Sequence, residues 1–227
     1  MTPLYLYILL GSLSIPFLFT VFNNDFIKYW GQFFISTLII ASIFLIWDYY
    51  FTKNGIWSFN YDYCLGIKMF GMPIEEWLFF FIIPFCSLFI HFAFLSINPN
   101  IKLPKKPSKY LSIGLIILSL IVALLNFSKS YTMVNYLVLA IVLLFGLRFF
   151  KTLLQQFYIT FLIILIPFII VNGILTGSFI EVPIVNYNNY DNLNIRVFTI
   201  PIEDIGYCFS MLFGNLMIFE ALIKRNN

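Results

Sequence analysis

Charge is what this chain has least of. Only 10% of its 227 residues are Asp, Glu, Lys or Arg, against roughly a quarter in an ordinary soluble domain, and there is one histidine. So few charges cannot cover a water-facing surface, which excludes an ordinary soluble fold. The three cysteines, Cys64, Cys86 and Cys208, form no CxxC pair. Neither a disulfide framework nor a zinc site is indicated, and the thiols read as small apolar fillers. The chain has no GxGxxG fingerprint, so no flavin or other dinucleotide cofactor is expected. A net charge of +3 gives no basis for a nucleic-acid partner.

What fills the chain instead is apolar: 61% of residues are hydrophobic and the mean hydropathy is +0.94. A bilayer core needs about 20 apolar residues per helix, because hydrocarbon offers no water to an open backbone. On that length the expected fold is an all-α integral membrane protein with seven spans. They run from Leu4 to Phe22, Phe33 to Phe51, Trp77 to Ile97, Tyr110 to Phe127, Tyr131 to Leu147, Phe157 to Leu175, and Ile205 to Ile223. The fourth and fifth are separated only by the Asn126 to Ser130 region, which implies a helical hairpin. Continuous apolar runs, with no alternation, exclude an outer-membrane barrel. No basic residue precedes the first span and no small-residue cleavage site follows it, so it is expected to stay as a helix.

Lys and Arg accumulate on the cytoplasmic side of membrane spans. Placing Lys102, Lys105, Lys106 and Lys109 inside brings Lys28, Arg148, Lys151, Lys224 and Arg225 inside with them. The outer side then keeps Lys53, Lys68, Lys129 and Arg196, and the chain is expected to be a multi-pass protein of the cytoplasmic membrane.

Two acidic tetrapeptides fall on that outer side. Pro73-Ile74-Glu75-Glu76 returns 128 residues later as Pro201-Ile202-Glu203-Asp204, each opening a long apolar run. The copies open spans three and seven, four positions apart in the series, so both helices run in the same direction, the arrangement of a parallel repeat. The expected division is a first repeat over 1–100, a basic loop and connecting helix over 101–130, and a second repeat over 131–227. Proline suits the first helical position, which places Pro73 and Pro201 at helix starts and the acids in the first turn. Neighbouring positions point about 100° apart, so one acid of each pair faces the bundle while the other faces water or a capping N–H; the spacing does not say which. A helix N-terminus favours the anion by about 0.3 to 1 kcal/mol, whereas burial raises a carboxyl pKa by up to about 3 to 5 units. In a dry cavity burial wins, and a protonated acid is held in an apolar site. Ordinary capping by these acids is the competing reading, weakened by the duplication.

Other candidates surround the pairs. Asp48 and Asn172, rough positional counterparts on spans two and six, are supporting candidates, as is Arg196, an expected ion-pair partner for an acid. Trp57, Phe59, Trp77, Phe80, Tyr207 and Phe209 are candidates to line a substrate cavity and offer π faces to a cation. His91 stands about 22 Å along the helix from Glu76 and reads as a packed or interfacial residue. Glu220, beside Lys224, belongs to the opposite face.

At Met72 to Phe80, Ile200 to Asp204, Asn172 to Gly177 and Asn194 to Phe198, the chain resembles the membrane-integral lycopene cyclase family. The resemblance spans essentially the whole chain and fits the fused tandem form of a cyclase otherwise built from two small subunits. It implies a redox-neutral acid–base cyclisation, with lycopene or a related acyclic carotenoid as substrate and Glu75, Glu76, Glu203 and Asp204 as catalytic acids. The ψ-ends would become β-ionone rings, giving γ-carotene or β-carotene, with no metal. Membrane lipid is the expected surrounding, with a homo-oligomer or other carotenoid enzymes as the protein partners left open. Asp204 departs from Glu76, so the two half-sites need not be equivalent. The rivals are an intramembrane carotenoid hydratase, a prenyltransferase, for which Asp-rich clusters are lacking, and a seven-helix transport or binding protein. A retinal pump is disfavoured, because span seven has no lysine.

Overall fold

A computed structural model of the chain describes residues 2–22 and 29–226; Lys28, counted above on the inner side, lies outside them. Among the described residues there are seven α-helices: α1 (Leu4–Phe22), α2 (Trp30–Lys53), α3 (Ile74–Ile97), α4 (Lys105–Leu125), α5 (Ser130–Phe149), α6 (Lys151–Leu175) and α7 (Glu203–Asn226). Six of them, α2 to α7, are long and apolar enough to cross a membrane, while α1 is apolar over the shorter stretch Leu4–Thr20. The all-α membrane architecture read from the hydrophobic runs is the architecture found. Most helices overrun their apolar windows at polar ends such as Lys105, Ser130, Lys151 and Glu203, because helical hydrogen bonding continues whatever the side chain. The hairpin between α4 and α5 is present, turned where Lys129 N–H donates to the Asn126 carbonyl at 2.9 Å.

Helix α7 is the core of the bundle: Leu212, Phe213 and Leu216 are wholly buried. It is tied to α2 by Asn215, which accepts from Ser36 Oγ at 2.7 Å and donates to Thr37 Oγ1 at 2.9 Å. Satisfying both ends of a buried amide matters here, since each unpaired polar group in an apolar interior costs several kcal/mol (about 2 to 7). His91 on α3 meets Thr160 Oγ1 on α6 at 2.7 Å and is packed, as its position suggested. Glu220 pairs with Lys224 at 3.0 Å, far along α7 from its acidic start.

The two long loops fold into three short ribbons. Strand β2 (Lys68–Met69) pairs with β3 (Met72–Pro73), and β5 (Arg196–Val197) with β6 (Ile200–Pro201), both antiparallel. The hairpins turn at Phe70 and Phe198, whose φ values of 53° and 57° supply the left-handed backbone that a two-residue hairpin loop needs. Ile74 N–H reaches the Ile67 carbonyl at 3.0 Å, and Ile202 N–H reaches the Ile195 carbonyl at 2.9 Å. Each of these contacts recurs 128 residues on. The third ribbon joins the two loops, with β1 (Trp57–Phe59) antiparallel to β4 (Val185–Tyr187).

The expectation that Pro73 and Pro201 open their helices requires correction. Both end hairpin strands, and Pro73 is the extended N-cap of α3. A short edge strand accepts a residue without an N–H as readily as a helix start does.

Candidate active site

The hairpins deliver both acid pairs into the first turns of α3 and α7, and all four acids are buried. Within each pair the two neighbours take different directions. Glu75 Oε1 accepts from Leu65 N–H at 2.5 Å, and Glu203 Oε1 accepts from Leu193 N–H at 2.7 Å. These first acids fasten the preceding loop onto the helix start, and the other carboxylate oxygen of each has no protein partner among the described residues.

The second acids turn inward. Tyr5 Oη donates to Glu76 Oε2 at 2.6 Å, and Tyr131 Oη donates to Asp204 Oδ1 at 2.5 Å. The tyrosines stand at the starts of α1 and α5, so each half of the chain supplies one acid and the phenol that holds it. Asp204 has two further donors on Oδ2, Asn172 Nδ2 at 2.7 Å and Tyr187 Oη at 3.0 Å.

Glu76 and Asp204 line one internal chamber of about 60 Å³ together with Asp48. Asp48 Oδ1 accepts from Trp57 Nε1 at 2.5 Å, and its Oδ2 has no protein partner. The walls are aromatic, including Trp57, Phe59, Phe79, Phe80, Phe168 and Tyr207, and no Lys, Arg or His is among the lining residues. In the loop above, burial and then Asp204 push the Tyr187 phenol above its ordinary range, so it stays a donor. Burial, followed by Glu75 and Glu76, pushes the Cys64 thiol up to about 12. Chemically, the chamber offers three carboxyls, fixed phenol donors and π faces around a small space.

The family model described as lycopene cyclase matches residues 2–94 and 128–222, two segments that each contain one tyrosine-held acid. The chain belongs to the lycopene cyclase family. Among curated proteins, it is similar to the bifunctional lycopene cyclase/phytoene synthase of Podospora anserina, 43% identical over 51 residues. That match covers 22% of this chain and 8% of the relative, so only a small part of the relative's length is spanned. No solved structure matches the chain.

The residues expected in this lycopene cyclase family site are brought together selectively. Glu76, Asp204, Asp48, Asn172, Trp57, Phe59, Phe80 and Tyr207 all line the chamber, whereas Glu75 and Glu203 do not. Arg196, expected to pair with an acid, instead donates to the Thr199 carbonyl at 2.6 Å and Asn189 Oδ1 at 2.8 Å, pinning its hairpin. Trp77 and Phe209, expected in the lining, lie elsewhere because the helix phase carries them off the chamber face. Trp77 Nε1 donates to the Met69 carbonyl at 3.2 Å, and Phe209 packs on Phe157 at 5.1 Å.

Asp48 and Asn172 are not positional counterparts. The helix ends superpose through Ile56 N–H to the Phe51 carbonyl (3.0 Å) and Ser178 N–H to the Gly173 carbonyl (2.7 Å), which matches Asn172 with Tyr50. Tyr5, Tyr131 and Tyr187 escaped the sequence reading. The signal for the first two was a tyrosine opening the first span of each repeat.

Proposed function

We propose that the chain is a lycopene β-cyclase, an isomerase of the intramolecular lyase type in the cytoplasmic membrane, which closes acyclic ψ-ends into β-ionone rings. The reading rests on one observation: two acids from equivalent helix starts, each held by a tyrosine, meet in one aromatic chamber that has no cation. We read residues 1–100 and 131–227 as the two repeats and 101–130 as the connection between them.

Three carboxyls with no counter-ion cannot all be ionised, because desolvating each anion costs several kcal/mol and like charges repel. Protons are therefore retained in the chamber. Asp204, with three hydrogen-bond donors, is the group best suited to remain a carboxylate. Glu76 has a single donor and shares the space with Asp48, and it is the acid assigned to give up its proton.

That proton adds to the terminal double bond of the ψ-end and leaves a tertiary cation. The internal alkene attacks the cation, forming the ring carbon–carbon bond and moving the positive charge onto the ring. Asp204 removes a ring proton, leaving the ring double bond. One proton enters and one leaves, so no electrons are exchanged with an outside partner. General acid and general base are thereby split between the repeats, and Trp57, Phe80 and Tyr207 present π faces to the cation. Glu75 and Glu203, as loop fasteners, hold the acids in place.

Expression in a bacterium that accumulates lycopene tests the reading. Chromatography is expected to show β-carotene, or γ-carotene if one end is closed. Unchanged lycopene beside well-inserted protein contradicts it, and a hydroxylated product would mean that water captures the cation instead.

A further inference from the structure

The chamber is far too small for a long polyene, so the body of the substrate must lie elsewhere. Beside it runs a groove of about 580 Å³ between α1, α3 and α6, lined by residues such as Gly11, Ile15, Ile90 and Val171. Groove and chamber share four lining residues, Phe79, Ile83, Phe168 and Asn172. Among the groove residues, Tyr7, Ile15 and Ile170 are exposed on the outside of the bundle. The groove is thus open on the outside of the bundle and contiguous with the chamber that holds the acids, with the shared side chains between them.

From this continuity, and resting on the cyclase reading above, we infer that the acyclic carotenoid reaches the acids sideways from the bilayer through this groove, one end at a time. The polyene lies against α1, α3 and α6, and only its two terminal isoprene units, which carry both reacting double bonds, pass Phe79 and Phe168 to reach the acids.

Two features support a built groove. Interior prolines Pro16, Pro84 and Pro167 fall one in each bordering helix, and each removes a backbone hydrogen bond and disfavours a straight helix. The Ser12 carbonyl, four residues before Pro16, accepts from Cys86 Sγ at 3.2 Å, which fixes α1 to α3 at the groove wall. A Cβ added at Gly11 would meet nothing within 4 Å, so the groove is open there.

The equivalent flank of the second repeat is shut. The counterpart of Phe79 is Tyr207, whose ring is packed 4.9 Å from both Phe44 and Trp47. Helix α5 also lies close on α7, where a Cβ at Gly206 would come 3.1 Å from Asn135 Nδ2. One mouth serves both acids, so the second end of a molecule has to enter after the first has left.

Gly11→Trp, and separately Ile170→Trp on the opposite wall, fill the groove without touching the acids. Gly114→Trp is the control, since Gly114 on α4 also faces open space. Purified protein is incubated with lycopene micelles, and both bound carotenoid and turnover are measured. The groove variants are expected to lose most of both, while Gly114→Trp keeps them. Wild-type binding and turnover in both groove variants would overturn the route. Wild-type protein that binds lycopene but leaves it uncyclised, with binding lost in Gly11→Trp, would keep the route and remove the cyclase reading. In a time course, free monocyclic product is expected ahead of any bicyclic product. Bicyclic product formed with no free monocyclic precursor would overturn the single mouth.

Discussion

Ser58 and Asn186 sit directly opposite each other in the β1–β4 ribbon, although 128 residues separate them. The same offset relates Leu65 to Leu193 and Glu76 to Asp204, so the local two-fold axis passes between Ser58 and Asn186. Their neighbours Trp57, Phe59, Val185 and Tyr187 line the chamber, which places the axis over the site. Symmetry brings the two acids together, and the departures from it give them different partners.

The tyrosine donors should matter to turnover. Tyr131 donates to the Asp204 carboxylate and Tyr5 to the carboxylate that Glu76 becomes as its proton leaves; a hydrogen bond to a charged group contributes about 1.5 to 3 kcal/mol, so Tyr131→Phe and Tyr5→Phe are each expected to lower kcat by about ten- to a hundredfold. Tyr187→Phe should do less, because Asn172 still donates to the same Asp204 oxygen. Steady-state assays on the three variants check this, and wild-type turnover in both Tyr131→Phe and Tyr5→Phe would contradict it.

Within each acid pair, chemistry and stability should separate. Glu76→Gln and Asp204→Asn are expected to abolish turnover with membrane insertion and thermal stability nearly unchanged. Glu75→Ala and Glu203→Ala strand the Leu65 and Leu193 N–H groups, a loss of about 1 to 3 kcal/mol each, visible as a lower Tm with residual turnover. Glu75→Gln keeps an acceptor oxygen and should fall between. A folded, fully inactive Glu75→Gln beside an active Glu76→Gln would reverse the assignment.

How far this was legible in the sequence depended on the kind of signal. The helices were plain, because each needs its own apolar run, and so was the repeated acid tetrapeptide. The inward-facing acid was not, because neighbours 100° apart exchange roles with a small rotation of the helix. That rotation is set by distant contacts, Leu65 N–H on one side and Tyr5 Oη on the other. Tyr5 is 71 residues from its acid and one of 14 tyrosines, and only its place at the start of a repeat's first span, shared with Tyr131, sets it apart. Trp77 and Phe209 are near the acids in sequence, but helical phase turns them off the chamber face.

Cys64 offers a check on the loop packing. Its thiol is buried and pushed up to about 12, so the raised value keeps it neutral through mildly alkaline pH. In a Cys86→Ala, Cys208→Ala background, maleimide at about pH 8 should leave it unlabelled in native membranes, since the thiolate is the reactive form. Labelling should appear in SDS. Brisk native labelling would mean the loop is open to water.

The central claim is that a chamber acid gives a proton to the polyene and that another carboxylate takes one back. Mass spectrometry of carotenoids from lycopene-loaded membranes incubated in deuterium oxide tests it most directly. Exchangeable acids load with deuterium, so each ring formed should carry a single deuteron, with Asp204→Asn membranes leaving lycopene untouched. Rings without deuterium, or cyclised product from Asp204→Asn at the wild-type rate, would contradict the account.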